Sequence, residues 1–479
     1  MDNRVCIKCG STENVWQVEK DVAYCEEHME FEKWLHQKPG KKDKKSYENE
    51  AGDSIEYSSP FDVNNQIYFC GVPFRLDTYS GCSHKCKYCF VRAAELFSAS
   101  RGNKGNYIVP ADPNDIRLQL VSAFDTTKER ESIVTEWLRH RVPIHWGGMS
   151  DPFQHAERKF RVSKKVLELL EWYNYPTVIS TKGIVLTDVA DDPSYMKLLK
   201  HGKFAVQVSL ITFDDEFLAK LEPGVPSATE RMRVLEKLAE AGVWTAVRIQ
   251  PMIVNSVVER KLPEFIEKLS KIGVKHLIVE AYKAPVRAEE ELKFIWDLCP
   301  ETIKEYQYAD SKVEGFEKML PTWRKWQYVK VVKEECAKYG ITYGAADNDL
   351  RDMGDVTCCC GIENIPGFEN YWHYEAGNAA KIAKEKGFVT LEDMQRFWHG
   401  EKTFPIHNTI MREKYAAIYG KVAATPKFAI DTFWNEGGES SPECIFSMRK
   451  SQRDGKLVYE WVNSIPILEA KKVQQQEMF

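Results

Sequence analysis

Between residues 66 and 295 short apolar runs alternate with stretches whose apolar residues recur every three or four positions. Six runs, Phe74–Tyr79, Val142–Trp146, Thr177–Ser180, Phe204–Ile211, Trp244–Ile249 and His276–Glu280, have the length and residue types of strands. Between them Val166, Leu169, Leu170 and Tyr173 fall on one helical face. Ser227-Ala-Thr-Glu230 has the form of a capping box, so a helix opens there and ends at Gly242. Six strands alternating with helices predict parallel βα units, here an α/β fold built as a partial (β/α)6 TIM-type barrel. Outside that span the pattern changes. Residues 1–33 form a small Cys/His unit, 34–65 read as a linker around the basic tract 38–45, and 296–479 are irregular and rich in Trp and Tyr, a C-terminal substrate-binding or capping region.

Composition narrows the classes. The 479 residues are 43% hydrophobic with a net charge of -5, so the chain folds and carries no global field that recruits nucleic acid. Without an early apolar leader or a run of about 18 uncharged apolar residues, a cytoplasmic protein with no membrane contact is expected. Thirteen cysteines in such a reducing compartment point to metal or thiol chemistry rather than to disulfides.

The densest chemistry follows the first strand, in Tyr79-Ser-Gly-Cys82-Ser-His-Lys-Cys86-Lys-Tyr88-Cys89. A loop at that place lies at the C-terminal mouth of a barrel, where such folds carry their reactive groups. Three thiolates within eight residues wrap one face of a cubane cluster and leave one iron open, free to chelate an amino acid. Cys-x3-Cys-x2-Cys, with an aromatic residue before the last cysteine, resembles the signature of the radical SAM superfamily. The resemblance implies a [4Fe-4S] cluster on Cys82, Cys86 and Cys89 that cleaves S-adenosylmethionine (SAM) reductively, with electrons from a reductant protein such as flavodoxin or ferredoxin.

Downstream segments extend it. Gly147-Gly148 ends the second strand and is similar to the turn whose main chain receives the methionine amino group of SAM. Met149 stands where the family usually has an acidic residue, so Asp151 or backbone carbonyls take that role. Ser180 and Lys182 after the third strand, and Gln207 and Ser209 on the fourth, are candidates for the SAM ribose and carboxylate, and Tyr88 for packing against adenine. Leu221-Glu222-Pro223-Gly224, Glu230-Arg231, Ala241-Gly242 and Gln250-Pro251 resemble the branch that includes spore photoproduct lyase, which reverses a thymine–thymine crosslink in DNA. On that likeness Arg231 clamps the SAM carboxylate with its planar fork, and Glu222 is a structural or ribose contact.

Two appended cysteine groups remain. Cys6-x2-Cys9-x15-Cys25-x2-His28 has the two-pair spacing of a tetrahedral zinc site. Such a unit touches nucleic acid in some proteins and serves docking or structure in others. Cys358-Cys359-Cys360 exceeds what packing needs; one or two of these thiols face the site, as hydrogen donor or second metal ligand, and alternation sends Cys358 and Cys360 one way and Cys359 the other. Trp372-His373-Tyr374 and Phe397-Trp398-His399 fill a core or stack on bases. The leading expectation is a radical SAM enzyme acting on a nucleic-acid base or nucleotide, as a repair lyase or modifying enzyme. Its competitors are a radical SAM enzyme for a peptide or small metabolite, and a non-catalytic metal-binding interaction module.

Overall fold

A computed structural model describes residues 6–8, 11, 15–19, 22–37, 47–48, 54–55, 57, 60–64, 67–91, 108–125, 132–187, 193–285, 289–306, 312–314, 317–394, 404–405, 423–424, 433–435 and 441–476. Cys9, the tract 38–45 and Phe397-Trp398-His399 lie outside the described residues.

An eight-stranded sheet organises the chain, with β1 (Phe61–Val63), β2 (Phe74–Leu76), β3 (Ile144–Trp146), β4 (Thr177–Thr181), β5 (Phe204–Ser209), β6 (Trp244–Met252), β7 (His276–Ala281) and β8 (Thr342–Ala345) side by side in sequence order. β1 is antiparallel to β2; every other neighbouring pair is parallel. Strands that step one way across a parallel sheet, each joined by helices, curl it into an open partial barrel with helices outside. All six expected strands are present. The sheet also takes in β1 and β8, from outside the 66–295 span: Tyr343, Ala345 and Val63 are buried and extend the row at both edges.

The local signals act as chemistry demands. Helix α1 (Val162–Trp172) buries Val166, Leu167, Leu169 and Leu170 against the sheet. Helix α2 (Ala228–Glu240) starts on a reciprocal capping box: Glu230 N donates to Ser227 Oγ at 3.2 Å and Ser227 N to Glu230 Oε2 at 2.8 Å. Such a cap stabilises a helix by about 1 kcal/mol. Gly242 at φ +76° turns the chain into β6. The first expected strand ends at Leu76, and beyond it Asp77 N donates to Pro60 O at 2.9 Å while its carboxylate accepts Met149 N at 2.9 Å and Ser150 N at 3.2 Å.

The concave face of the sheet is filled from the C-terminal region. Val178 of β4 and Ala205 of β5 pack with Val72, Cys358, Cys360, Ile362, Phe368 and Tyr371. Trp372 is core: its ring stacks on Trp137 at 5.2 Å, and its Nε1 donates to Ile67 O at 2.8 Å. At the other end the hairpin Val15–Glu19/Val22–Cys25 and the helix Glu26–Leu35 dock on the end of α1. Lys8 Nζ donates to Trp172 O at 2.6 Å, and Tyr24 packs on the Trp172 ring at 5.4 Å. Among the described residues no helix is long and apolar enough to cross a membrane.

Candidate active site and metal-ligating cysteines

The cysteine loop begins where β2 ends, at the mouth of the parallel sheet. Gly81 (φ +85°) and Lys85 (φ +49°) turn it back on itself, and its main chain is held from outside. Buried Gln154 grips both sides, accepting from Ser83 N at 2.8 Å and donating to Gly81 O at 3.1 Å. Lys87 N donates to Leu221 O at 2.8 Å and Gly224 N to His84 O at 3.1 Å. A Cβ on Gly224 would sit 2.4 Å from Ser83 O, so only glycine permits this approach. His84 bridges Gly224 O at 3.0 Å and Asp151 Oδ2 at 3.0 Å. Cys86 is buried, and Cys82 and Cys89 are half-buried. Burial, reinforced by Asp151, pushes the Cys82 thiol up to about 12; burial also drives Cys86 well above the ordinary thiol range, against the pull of Lys182. Apolar surroundings favour neutral thiols, whereas a bound iron centre holds thiolates outright. Three clamped thiols at one loop, with the Lys182 charge beside Cys86, are a donor set that suits such a centre.

Asp151 is buried and fully engaged. Thr181 Oγ1 donates to it at 2.7 Å, Lys182 N at 2.6 Å and Phe153 N at 2.8 Å, in addition to His84. Burial alone would raise its carboxyl, but His84 and these donors outweigh it and hold it below the ordinary carboxylate range. It ties the cysteine loop to the end of β4 and has no oxygen turned to the glycine turn. Gly147, at φ +94°, lies so close to β4 that a Cβ would meet Ser180 O at 2.3 Å. The turn that it forms with Gly148 rests on Asp77, whose carboxyl burial raises to about 6.

Arg231 and Glu222 form a buried ion pair at 2.6 Å, and Tyr88 hydroxyl donates to Glu222 Oε1. Arg231 Nη1 also donates to Ser209 O at 2.8 Å. The fork therefore locks α2 to β5 and, through Glu222, to the cysteine loop, instead of reaching into the cleft. Lys182 Nζ lies 5.7 Å over the Tyr88 ring.

Ser180 and Gln207 belong to a different constellation, centred on a residue that the sequence reading missed. Arg248 of β6 sits on the concave face, its Nη1 donating to Ser180 Oγ and Gln207 Oε1, each at 3.1 Å, with His145 Nε2 at 3.4 Å. Its Nε donates to Gln250 Oε1 at 2.7 Å, and Gln250 donates to Glu280 Oε2 at 2.9 Å. His145 is 2.8 Å from Ser180 Oγ; burial, with Arg248 and Arg75 nearby, lowers its imidazole to about 3, so it stays neutral. Among the described residues the hydrogen-bond partners of Arg248 are thus all neutral, and it stands as a fixed positive charge inside the partial barrel. The signal was present: Arg248 and Gln250 alternate with Val247 and Ile249, so both point to one face.

Below this layer lies the cysteine run. Gln207 Nε2 donates to Cys360 O at 3.2 Å, and His276 Nε2 is 2.9 Å from Cys359 O. Cys358 and Cys360 are buried in the apolar cluster, and Cys359 is half-buried. In the N-terminal unit His28 Nδ1 lies 3.0 Å from Cys25 Sγ and 3.6 Å from Cys6 Sγ, and the three ligand atoms converge within 4.8 Å.

Residues 76–276 match the Radical SAM superfamily model, the segment that holds the cysteine loop, the glycine turn and the Arg248 layer. This part of the chain is a radical SAM domain, as the cysteine spacing led us to expect. An uncharacterized protein of Mycobacterium bovis is 26% identical over 184 residues, 38% of this chain and 51% of the relative; the chain thus spans about half the length of that relative. A radical SAM Nalpha-GlyT isomerase of Pseudomonas phage M6 is 23% identical over 214 residues, 43% of this chain and 39% of the phage protein. A solved spore photoproduct lyase variant superposes with a TM-score of 0.42 at 16% identity, over 64% of this chain and 86% of that one.

Proposed function

We propose that this protein is a radical SAM enzyme that acts on a nucleic-acid base or nucleotide, as a repair lyase or base-modifying enzyme. The observation that carries the reading is the three-thiol loop, clamped at the mouth of a parallel sheet within the segment that matches the superfamily. Cys82, Cys86 and Cys89 would hold a [4Fe-4S] cluster, which would supply the electron for reductive cleavage of SAM and so the radical chemistry that abstracts hydrogen from substrate. The chain supplies position. Gln154, His84 and Asp151 hold the loop, Lys182 offsets the negative charge of its thiolates, and the Gly147-Gly148 turn offers main chain to the methionine amino group. Arg248, held by Ser180, Gln207 and His145, receives the anionic group of the substrate, a phosphate in the nucleotide reading. The phage isomerase adds support at the level of a radical SAM isomerase. A zinc ion on Cys6, Cys9, Cys25 and His28, a flavodoxin- or ferredoxin-type reductant and a cytoplasmic setting complete the proposal.

The test is anaerobic turnover with deuterated oligonucleotides and nucleotides, following deuterium into 5′-deoxyadenosine. Transfer from one of them is expected, and Arg248→Gln should raise KM for that substrate while SAM is still cleaved. Transfer only from a deuterated peptide or metabolite overturns the substrate class, and reconstituted protein that holds iron yet never cleaves SAM overturns the enzyme.

A further inference from the structure

The N-terminal cysteine unit carries the wrong charge for a reader of nucleic acid. Residues 1–33 hold eight acidic and four basic side chains, and Glu26, Glu27 and Glu30 of the helix Glu26–Leu35 are exposed. Contacts to phosphate need the opposite sign. Lys8, which lies within the first cysteine pair, is spent inside the molecule: its Nζ donates to Trp172 O and stands 4.3 Å over the Trp172 ring.

What the unit does meet is the last residue of α1. With Lys8, the rings of Tyr24, His28 and Phe31 surround the Trp172 indole, their centroids 5.4, 6.1 and 5.2 Å from it. Two of these rings are set by metal ligands, since His28 is one and Tyr24 adjoins another, Cys25. Cys6, Tyr24 and Cys25 form a small buried cluster of their own, with Met29 and Trp172 packed against it. Three buried side chains cannot hold a hairpin and a helix against their chain entropy, so the unit needs a metal to order it. The contact continues along the helix Pro113–Phe124, where buried Arg117 donates to Leu35 O at 2.5 Å and Gln37 O at 3.1 Å and lies 5.4 Å over the Trp34 ring. At its other end α1 backs the cysteine loop. Ser163 Oγ is 2.8 Å from Thr78 Oγ1, and Ser163 N donates at 2.9 Å to Glu157 Oε2, which also accepts the Tyr79 hydroxyl.

We propose that a zinc ion on Cys6, Cys25 and His28 works as an internal brace, which seats the unit on Trp172 and so fixes the end of α1, and that the unit takes no part in nucleic-acid binding. This rests on the zinc reading given above. The three ligand atoms lie within 4.8 Å of one another, so a metal draws them together without moving the chain far and orders the His28 ring and the end of the strand Val22–Cys25 against the indole. When a unit cannot fold unaided, the free energy of binding its metal is folding free energy. Here part of it passes to the catalytic domain through the shared Trp172. The partner of the unit is therefore an aromatic face of its own chain, and its acidic helix is left toward solvent.

The test uses the full chain with its iron site reconstituted, before and after treatment with a zinc-selective chelator, at equal iron content. Zinc stoichiometry and thermal melting are read on the same samples. The wild type should bind about one zinc ion and lose about 5 °C or more from its melting midpoint without it. Trp172→Leu should still bind zinc, but its midpoint should no longer respond to the metal. Trp172→Phe, which keeps a ring, should retain most of the response. The affinity for a labelled oligonucleotide, measured by fluorescence anisotropy well below either midpoint, should be the same with and without zinc. A wild type that binds no zinc defeats the zinc reading and the brace with it. Stoichiometric zinc with an unchanged midpoint, or a full response in Trp172→Leu, overturns the brace alone. So does oligonucleotide binding that weakens when zinc is removed.

Discussion

The chain places sulfur at its sheet in two ways. The loop Cys82–Cys89 is local: three cysteines come from one turn, and it is gripped from outside by Gln154, Asp151, Leu221 and Gly224. The group around Cys358–Cys360 is assembled: its members come from segments almost 290 positions apart, with backbone anchors from strands β5 and β7. A local loop needs rigid supports but tolerates change in the rest of the fold. An assembled group depends on every element that brings its parts together, and it is correspondingly silent in sequence spacing.

The contrast can be broken most severely at the loop itself. Cys86→Ala should abolish SAM cleavage under dithionite, because two thiols no longer share a cluster face; an active Cys86 variant would sink the assignment. The next largest effect is expected at Glu222, the carboxylate that joins α2 to the loop through Arg231 and Tyr88. Glu222→Gln leaves a buried guanidinium uncompensated and should cost about 3–5 kcal/mol in chemical denaturation. Burial acts to raise the Glu222 carboxyl, but Arg231 and Lys182 outweigh it and hold it low. Its contribution is therefore present above the unfolded carboxyl value, about 4.3, and is lost as pH falls through the lower folded value. A variant with wild-type stability at pH 7 would show the ion pair to be dispensable.

Gln154→Ala sharpens the claim that the loop is held from outside. Removing both grips strands Ser83 N and Gly81 O, at a cost of about 1–3 kcal/mol, and should speed iron loss to chelator several-fold. An unchanged rate of iron loss would show that the loop does not depend on this outside grip. The smallest effect is expected at Asp77, under the glycine turn. Because burial raises this carboxyl to about 6, its stabilising protonation is complete below about 4 and is lost as pH rises toward 6. Asp77→Asn keeps an acceptor for Met149 N and Ser150 N, so the variant should differ from wild type mainly by a flatter stability profile between pH 4 and 6. A profile of unchanged slope would place that titration elsewhere.

Reading ahead of structure succeeded where chemistry is carried by near neighbours. Six apolar runs predicted six strands, the Ser227/Glu230 pair predicted a helix start, and the spacing of Cys82, Cys86 and Cys89 predicted the superfamily. It failed where a residue's partner lies far along the chain. Arg231 has the right chemistry for a ligand carboxylate, yet Glu222 is packed against it. Asp151 was assigned to the cofactor for want of an acidic residue at 149, and the fold spends it on His84, Thr181 and Lys182. Gln154 carries no pattern at all.

The sequence by itself determined the alternation of strands and helices, the three-thiol loop and the pairs at Cys6 and Cys25, because periodicity and short spacing express geometry that the backbone imposes within a few residues. Only the tertiary structure decided that β8 joins the sheet, that Arg248 stands inside the partial barrel among neutral partners, and that the turn at Gly71 packs against Cys358. Those placements follow from which faces are buried together, and the long-range packing that sets them leaves no periodic trace along the chain.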